Sequence, residues 1–306
     1  MSRALVIGAG SIGTRHAEVL AASGHEVAVV SSRRLDRPAV YADTAEAVAG
    51  FAPDYVVVAT ETGRHADSVD ALRGAGYAGR VLIEKPLAVD ADRLGAFERV
   101  GVGFNLRFHP VIRRFAELLA GVRVHTVEAY AGQALAGWRP GRAVAEQYSA
   151  SRAQGGGVLR DLSHELDYLG WMLGPCRGVF ARGGRLADVT VDSDDAWGIV
   201  SEYRDAPVVT LQLNYLDTRS RRRIVANTSE GTIEADVIAG VIQSSEGVEQ
   251  LTVARDDSYR AMHAAMLGDG SGDGMADVAT PEQAAATDAL IGMIEQSSRE
   301  QRWVVA

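Results

Sequence analysis

The stretch Ala4-Leu5-Val6-Ile7-Gly8-Ala9-Gly10-Ser11-Ile12-Gly13 decides the fold of this chain. A short aliphatic run leads into G-x-G-x-x-G, a helical pattern continues to Gly24, and Glu26-Val27-Ala28-Val29-Val30 follows as a second strand. Strand, glycine turn, helix and strand in this order let a helix amino terminus bind a pyrophosphate. The pattern therefore predicts dinucleotide binding, and the alternative is a plain strand-to-helix turn of another α/β protein. The predicted contacts in the turn are Gly8, Gly10, Ser11, Ile12 and Gly13.

The end of the second predicted strand bears on which dinucleotide is bound. An acid about 20 residues past the glycines would hydrogen-bond a free ribose 2′-hydroxyl, but the sequence here is Ser31-Ser32-Arg33-Arg34. No carboxylate in this tetrapeptide repels a 2′-phosphate, and two guanidiniums can pair with one. We therefore favour NADP over NAD and expect these four residues to contact the cofactor. The alternative is a solvated basic turn, with Asp36 facing the ribose.

Strand and helix patterns then alternate, which indicates a parallel sheet. Strands are predicted over 54–59, 80–83 and 100–104, and helices over 65–75 and 90–99. Ligands of such sheets bind at the carboxyl ends of the strands. Gly8, Thr60, Lys85 and Asn105 follow four of these strands, so we expect the sheet to bring them to one edge.

Lys85 differs from every other basic residue, because the remaining 30 of the 31 are arginines. It lies in Glu84-Lys85-Pro86, directly after the apolar run Val81-Leu82-Ile83. Arginine stays charged at any relevant pH, whereas a lysine ammonium is compact and its pKa responds to its surroundings. A proton-handling site would explain why lysine is kept at this position, and chance survival of one lysine is the alternative.

The second part of the chain reads as α+β. The predicted elements are a helix over 108–120, a strand over 122–131, a helical stretch to about 152, strands near 196–203, 207–217, 221–228, 231–236 and 249–253, helices over 257–267 and 281–299, and a flexible connector over 268–277. His65 and His109 are expected to orient loops or fill space.

Several motifs recur in an order that covers nearly the whole chain. They are the terminal G-x-G-x-x-G, Ala59-Thr60, Glu84-Lys85-Pro86, Gly103–Phe108, Gly155–Asp161, His164 and Asp167. Together they resemble the glucose–fructose oxidoreductase, inositol dehydrogenase and MocA family. The resemblance implies an NAD(P)-binding Rossmann domain, a doubly wound parallel sheet, over residues 1–107. It further implies an α+β domain with an open, mostly antiparallel sheet over residues 108–306, and a sugar-like substrate between the two.

The resemblance also implies subunits paired through the sheet, as a homodimer or homotetramer, and it adds Glu61 and Glu84 to the expected cofactor contacts. Two departures stand out. Glu61 lies where a neutral residue is usual, and Asp161-Leu162-Ser163-His164 is one residue shorter than the family's Asp-x-x-x-His. Residues three or four apart share a helix face, although one deleted residue turns a helix by about 100°. Either the helix starts at a different residue or the His164 side chain points in a different direction.

The expected chemistry is transfer of a hydride and a proton at a substrate hydroxyl or keto carbon. His164 is favoured as base or acid, because a histidine has an unperturbed pKa of about 6.5. Lys85 would donate a hydrogen bond to the same oxygen or carry the proton. Asp161 would orient sugar hydroxyls or hold the charge on Lys85 and His164. The alternatives are a satisfied helix-start histidine for His164 and a helix-start carboxylate for Asp161.

Arginines could extend the site if the substrate is acidic or nucleotide-linked, since guanidinium forks suit carboxylate and phosphate. The expected substrate contacts are Lys85, Arg107, Trp138, Arg139, Arg142, Asp161 and His164. The stretch Trp138–Arg142 resembles a subgroup associated with bacterial surface sugars, and the alternative for each arginine is ordinary solvation. Arg221-Arg222-Arg223 favours an exposed strand end or a subunit contact over a site.

Composition limits the other possibilities. The chain has 306 residues, 47% hydrophobic and 23% charged, as in an ordinary globular protein of two domains. A net charge of −9 disfavours a nucleic-acid partner, and no apolar run is long enough for a membrane span. Cys176 alone cannot form an internal disulfide. We expect a cytoplasmic enzyme without a resident metal. An NAD-dependent glycosidase and a non-catalytic NAD(P)-sensing regulator are the alternative functions.

Overall fold

The computed structural model describes residues 1–33, 39–138, 141, 143–268 and 277–306. The strands are β1 (Arg3–Ile7), β2 (Glu26–Val30), β3 (Val40–Tyr41), β4 (Tyr55–Val58), β5 (Arg80–Ile83), β6 (Arg99–Val102), β7 (Val124–Gly132), β8 (Cys176–Gly184), β9 (Ala196–Tyr203), β10 (Ala206–Asn214), β11 (Arg221–Thr228), β12 (Gly231–Asp236), β13 (Val241–Ser244), β14 (Gly247–Gln250) and β15 (Val304–Val305). The helices are α1 (Ser11–Ala22), α2 (Thr44–Phe51), α3 (His65–Gly74), α4 (Ala91–Leu94), α5 (Pro110–Leu119), α6 (Val158–Asp161), α7 (Ser163–Leu173), α8 (Asp257–Leu267) and α9 (Pro281–Glu300).

The chain divides into two compact units. The first contains residues 1–108 and 254–285, and the second contains residues 109–253 and 286–306. The sequence had suggested a single division after residue 107, with everything beyond it in the second domain. The segment that carries α8 instead packs with the first unit.

The first unit is built on a six-stranded parallel sheet in the order β3-β2-β1-β4-β5-β6. This is the strand order of a Rossmann fold, and it confirms the predicted fold class. Leu5 and Val56 face one core cluster, whereas Val6 and Val57 face a second cluster on the other side of the sheet. Because both faces are covered, the central strands are continuous apolar runs.

One element of this unit is shorter than predicted. The helix expected over 90–99 ends at Leu94, and Arg99 already begins β6. Gly95 lies at the carboxyl end of this single turn, and glycine is a weak helix former. The four residues of β6 include two valines and a glycine, and all four pair with β5. Arg99, the last residue of the predicted helix, therefore belongs to the sheet.

The second unit is built on a nine-stranded sheet in the order β14-β13-β12-β11-β7-β10-β9-β8-β15. Only the β7–β10 pairing is parallel among these strands, which confirms the open, mostly antiparallel sheet. Three predictions of individual elements were wrong. The strand expected near 249–253 is a hairpin of β13 and β14, β8 and β15 were not predicted, and the helical stretch before residue 152 is a series of short 3-10 turns.

The closing helices agree with the sequence, since α8 spans the predicted 257–267 and α9 begins at Pro281. The connector predicted over 268–277 lies largely outside the described residues. None of the helices in the described part of the chain combines the length and the apolar character needed to cross a bilayer.

Candidate functional site

The carboxyl edge of the parallel sheet gathers the residues that the sequence singled out. Gly8 follows β1, Thr60 lies two residues after β4, Glu84 and Lys85 follow β5, and Asn105 comes shortly after β6. These four strands are consecutive neighbours in the sheet. The expectation that the sheet brings these positions to one edge is confirmed.

The glycine turn is shaped by contacts of its own backbone. At Gly8 (φ +106°) a Cβ would lie 2.5 Å from the Ala59 carbonyl oxygen, and at Gly13 it would lie 2.0 Å from the Gly8 carbonyl oxygen. Packing of strand and helix therefore requires both glycines. At Gly10 nothing lies within 4 Å of such a Cβ, so this position leaves open space instead.

Gly10 is the N-cap of α1 and has no side chain to satisfy the first turn. The first amides of a helix have no intrahelical acceptor, and those of Ser11, Ile12 and Gly13 are in this turn. Open space beside Gly10, free helix amides and a positive helix end are together suited to a pyrophosphate. The turn thus fits the dinucleotide that the sequence predicts.

The end of β2 is basic and polar as far as it is described. Ser31 donates its backbone N–H to the Tyr41 carbonyl oxygen at 3.0 Å, and the Arg33 N–H donates to Ser31 Oγ at 3.0 Å. Ser32 and Arg33 are exposed. Arg34 and Asp36, which the sequence weighed for and against a 2′-phosphate, lie outside the described residues.

The loop after β4 is tied to the loop after β5 by His65. Its Nε2 lies 3.2 Å from the Thr60 carbonyl oxygen, and its Nδ1 lies 3.1 Å from the Pro86 carbonyl oxygen. The ring is buried, and Thr60 Oγ1 lies 3.2 Å from Ser68 Oγ. The prediction that His65 orients loops is confirmed. Glu61 is exposed and precedes the 3-10 turn Thr62–Arg64.

Glu84 is buried although it is an acid, and its neighbour Lys85 is partly exposed. Glu84 Oε1 lies 2.8 Å from His16 Nε2, and Glu84 Oε2 accepts the backbone N–H of Lys85 at 3.3 Å. A Cβ at Gly103 would lie 2.7 Å from the same Oε1, so a glycine there makes room for the carboxylate. The carboxylate is therefore held inside the protein, directly before the single lysine.

Asn105 and Arg107 were expected to contact ligands, and both are buried. Asn105 Nδ2 donates to Ser258 Oγ at 2.8 Å, and Arg107 Nη1 donates to Gln283 Oε1 at 2.7 Å. Arg107 is only 1% exposed. The Arg107 guanidinium thus binds the carboxyl-terminal segment of the first unit, and its substrate contact stays a prediction.

In the second unit, a run of three glycines precedes the helix that carries Asp161. A Cβ at Gly156 would lie 2.2 Å from the Tyr148 carbonyl oxygen, and at Gly157 (φ +128°) it would lie 2.1 Å from Asp194 Oδ1. Asp194 Oδ2 accepts hydrogen bonds from the Leu159 N–H at 2.9 Å and from Trp197 Nε1 at 2.8 Å. The buried Asp194 carboxylate thereby caps the start of α6.

Asp161 and His164 lie on two separate helical segments. Asp161 ends α6, His164 is the second residue of α7, and Leu162 between them has φ −95° and ψ 28°. The helix is therefore interrupted between Asp161 and His164. Both side chains line one cavity.

This cavity has a volume of about 340 Å³, and its wall combines apolar surface with several polar side chains. Its lining residues are Ala131, Gly132, Gln133, Trp138, Asp161, Leu162, His164, Ser220, Arg221, Arg222 and Ile238. The Trp138 ring packs edge-on against Tyr215 at 5.3 Å between centroids. Its buried Nε1–H has no acceptor among the described residues, so it is a donor that a bound molecule can satisfy. Arg139 and Arg142 lie outside the described residues.

Two phenols fix the Asp161 carboxylate. Tyr148 donates to Oδ1 at 2.9 Å and Tyr215 donates to Oδ2 at 2.5 Å. Burial and the neighbouring Asp161 charge raise the pKa of Tyr215, so its phenol remains a donor. Sequence reasoning missed both tyrosines. Tyr215 continues the inward alternation of Leu211 and Leu213, which indicates burial, but nothing in the sequence links it to Asp161.

Arg221 and Arg222 also line the cavity. Arg221 begins β11 and is exposed, as predicted for a strand end, and the subunit contact stays a prediction. Arg222 Nε lies 2.6 Å from Oε1 of the fully buried Glu165. Arg221 binds the Asp217 carboxylate through Nη2 at 2.9 Å and Nε at 3.0 Å. The hydrogen bond from Arg221 lowers the pKa of Asp217. Each guanidinium is thus paired with a carboxylate. Within the described ranges, no three His, Cys, Asp or Glu side chains gather as a metal site would require.

Comparison with known families and structures gives matches along most of the chain. The NAD-binding Rossmann fold of the GFO/IDH/MocA oxidoreductase family matches residues 2–99, and the C-terminal domain of that family matches residues 113–234. None of the curated proteins matches the sequence.

Solved structures similar to this chain include GenD2 from gentamicin A biosynthesis in complex with NAD, at 22% identity and a TM-score of 0.76, covering 100% of this chain and 96% of that one. An oxidoreductase from Agrobacterium radiobacter, in complex with NAD+, L-tartaric acid and magnesium, has 16% identity and a TM-score of 0.78, covering 99% and 98%. The myo-inositol 2-dehydrogenase from Lactobacillus plantarum has 15% identity and a TM-score of 0.74, covering 99% of each chain. At these identities the likeness shows the fold.

Proposed function

Because the chain belongs to the GFO/IDH/MocA family of oxidoreductases, we propose that it transfers a hydride between a nicotinamide dinucleotide and a hydroxyl or keto carbon of a sugar or sugar derivative. The observation that carries the substrate assignment is the cavity lined by Asp161, His164 and Trp138, whose Nε1–H has no acceptor among the described residues. These hydrogen-bonding groups suit a molecule with several hydroxyl groups, such as inositol. The inositol dehydrogenase among the structural neighbours supports this substrate class.

The first unit is proposed to bind the cofactor. The pyrophosphate would lie against Gly10 and the amides of residues 11–13, where the open space and the helix end suit it. We favour NADP, because Ser31, Ser32 and Arg33 offer donors and no carboxylate at the end of β2. When bound, the nicotinamide supplies the chemistry of accepting or giving a hydride.

Each polar group near the reacting carbon is assigned one task. His164 takes the proton of the substrate hydroxyl during oxidation and returns it during reduction. Lys85 donates a hydrogen bond to the reacting oxygen and stabilises its developing negative charge. Asp161, held by two phenols, accepts hydrogen bonds from neighbouring substrate hydroxyls, and Trp138 Nε1 donates to another.

The role of Lys85 is tested by following absorbance at 340 nm with candidate sugars and either cofactor. Lys85→Met should lower kcat about a hundredfold or more, because it removes the donor aimed at the reacting oxygen. Lys85→Arg is the matched control: it keeps a charged hydrogen-bond donor and should therefore lose less activity than Lys85→Met. Equal turnover in the wild type and Lys85→Met would overturn this assignment. Product release with no absorbance change would indicate a glycosidase that returns its hydride.

The preference for NADP is tested by the ratio of kcat/KM values for NADP and NAD. Arg33→Ala should lower this ratio about tenfold, the scale of one lost guanidinium–phosphate contact. Arg3→Ala is the control, because Arg3 is an arginine of the same unit at the amino end of β1, on the opposite edge of the sheet. An unchanged ratio in Arg33→Ala would show that this residue does not read a 2′-phosphate.

A further inference from the structure

A buried chain of hydrogen bonds runs through the first unit and ends at Glu84. Tyr55 Oη lies 3.0 Å from His263 Nδ1. His263 Nε2 lies 2.9 Å from His16 Nδ1, and His16 Nε2 lies 2.8 Å from Glu84 Oε1. Tyr55 and His16 are fully buried and His263 is 2% exposed. The four groups come from β4, α8, α1 and the end of β5, so the chain crosses the unit from element to element.

The surroundings of Tyr55 and His263, at one end of this chain, limit the direction of its hydrogen bonds. Burial lowers the pKa of His263 well below 6.5 and raises the pKa of Tyr55, so His263 is neutral and Tyr55 keeps its hydroxyl proton. If Tyr55 donates to His263 Nδ1, then His263 donates from Nε2 to His16 Nδ1, and His16 donates from Nε2 to Glu84. Every ring nitrogen is then satisfied, and Glu84 accepts as a carboxylate.

Glu84 connects this chain to the lysine that follows it. Its Oε2 accepts the Lys85 backbone N–H at 3.3 Å. Its Oε1 occupies space that is available because Gly103 has no side chain. The ring of Tyr259 packs edge-on against His16 at 5.4 Å, and the Arg15 guanidinium covers Tyr259 at 4.4 Å. These contacts cover the His16 ring, which is fully buried.

A carboxylate taken out of water is costly unless it is hydrogen-bonded, and apolar residues would fill the same space more cheaply. Two histidines and a tyrosine instead hold this one acid in place. The acid borders the single lysine of the chain. We propose that His16 is a positioning residue for Lys85, acting through the Glu84 carboxylate. This inference rests on the proposed role of Lys85 in hydride transfer.

Two substitutions at one position separate the two nitrogens of His16. The amide nitrogen of His16→Gln reaches about as far as Nε2 and can still donate to Glu84, whereas that of His16→Asn reaches only as far as Nδ1. We expect kcat to fall about tenfold or more in His16→Asn, because small misplacements of an active group are costly. His16→Gln should stay within about threefold of the wild type. The Kd for NAD(P)H, measured by tryptophan fluorescence, should not distinguish the two variants.

A second readout needs neither substrate nor cofactor. Because the chain has one lysine, reductive ¹³C-methylation labels a single side-chain amine, and its NMR resonance reports the surroundings of Lys85. The resonance should move in His16→Asn and stay near the wild-type position in His16→Gln. If His16→Asn does not fold, Glu84→Gln replaces it as the test variant. Glu84→Gln keeps the shape of the side chain but removes the carboxylate, so it should move the resonance and lower kcat.

The outcomes separate this inference from the proposed function. The positioning role alone would be overturned if folded His16→Asn kept both the wild-type resonance position and the wild-type kcat. If His16→Asn does not fold, the same result in Glu84→Gln would overturn it. A similar loss of kcat in His16→Gln and His16→Asn would also overturn it, because the donated hydrogen bond would then not matter. Full turnover in Lys85→Met would instead remove the proposed function on which the inference rests.

Discussion

At the scale of single residues, the glycine turn separates a packing role from a binding role. A Cβ at Gly13 would lie 2.0 Å from the Gly8 carbonyl oxygen, whereas at Gly10 nothing lies within 4 Å. Gly10 also has φ −71° and ψ −175°, a conformation open to any residue. Gly13 is therefore required for packing, whereas Gly10 leaves space for a ligand.

Substitution by alanine should separate these two roles. Gly13→Ala should lower the free energy of unfolding by about 2 kcal/mol or more, because backbone atoms must move to admit the methyl group. Gly10→Ala should leave stability within about 0.5 kcal/mol but raise the Kd for NAD(P)H about tenfold or more, since the methyl group fills space that the pyrophosphate needs. Urea unfolding and fluorescence titration measure the two quantities. A stable Gly10→Ala protein with unchanged affinity would show that the turn does not contact the cofactor.

The sequence could predict the cofactor side of the site because its residues follow strands of a parallel sheet, and one topology rule brings them together. The substrate side could not be predicted to the same depth. Tyr215 reaches Asp161 across 54 residues and Arg222 pairs with Glu165 from another element. Neither contact has a local sequence pattern, because each depends on how the sheet and α7 pack.

At the scale of elements, sheet pairing overrides weak local preference. Cys176-Arg177-Gly178-Val179-Phe180-Ala181-Arg182-Gly183-Gly184 contains three glycines and has little intrinsic tendency to form a strand. It is nevertheless paired with β9 along its length and with β15 at one end. Gly183 has a reason in packing, since a Cβ there would lie 2.4 Å from the ring of Trp197. Neighbouring strands therefore determine this element, which is why the sequence alone did not indicate it.

The junction of α7 with β11 depends on one buried ion pair, and this gives a prediction at the same scale. Arg222→Met should lower the free energy of unfolding by about 2 kcal/mol or more, because it removes the guanidinium that pairs with the fully buried Glu165 carboxylate. Arg223→Met is the control: its guanidinium is half-exposed beside Glu128 and Glu234, so the change should stay below about 1 kcal/mol.

Urea unfolding of both single variants and of Arg222→Met/Glu165→Leu completes this comparison. The double variant should recover much of the lost stability, because replacing both members of a buried pair by apolar groups avoids the uncompensated charge. Equal stabilities of the two single variants would mean that the Arg222–Glu165 pair contributes no more than a surface contact.

At the scale of the whole molecule, the chain returns to its first unit near its end. Arg15 Nε donates to Asp256 at 2.8 Å, and Asn105 donates to Ser258. Helix periodicity predicts that α8 exists, but it does not say which core the helix joins. That information lies in contacts more than 150 residues apart along the chain, which is why residues 254–285 were assigned to the other domain by sequence.

The open face of the nine-stranded sheet leads to a last prediction, on assembly. Phe180 and Val200 are directly paired on β8 and β9, are 40% and 41% exposed, and Val208 on β10 is 44% exposed. An exposed apolar patch on a sheet favours pairing with a second copy about a two-fold axis. We propose that this face joins subunits.

Val200→Arg should therefore reduce the mass measured by size exclusion with light scattering toward that of the 32.5 kDa chain, while Val248→Arg on the distant edge strand β14 should leave it unchanged. Because an added charge must be desolvated in a closed interface, the loss should be nearly complete at micromolar concentration; a wild-type protein that is already monomeric would contradict the proposal.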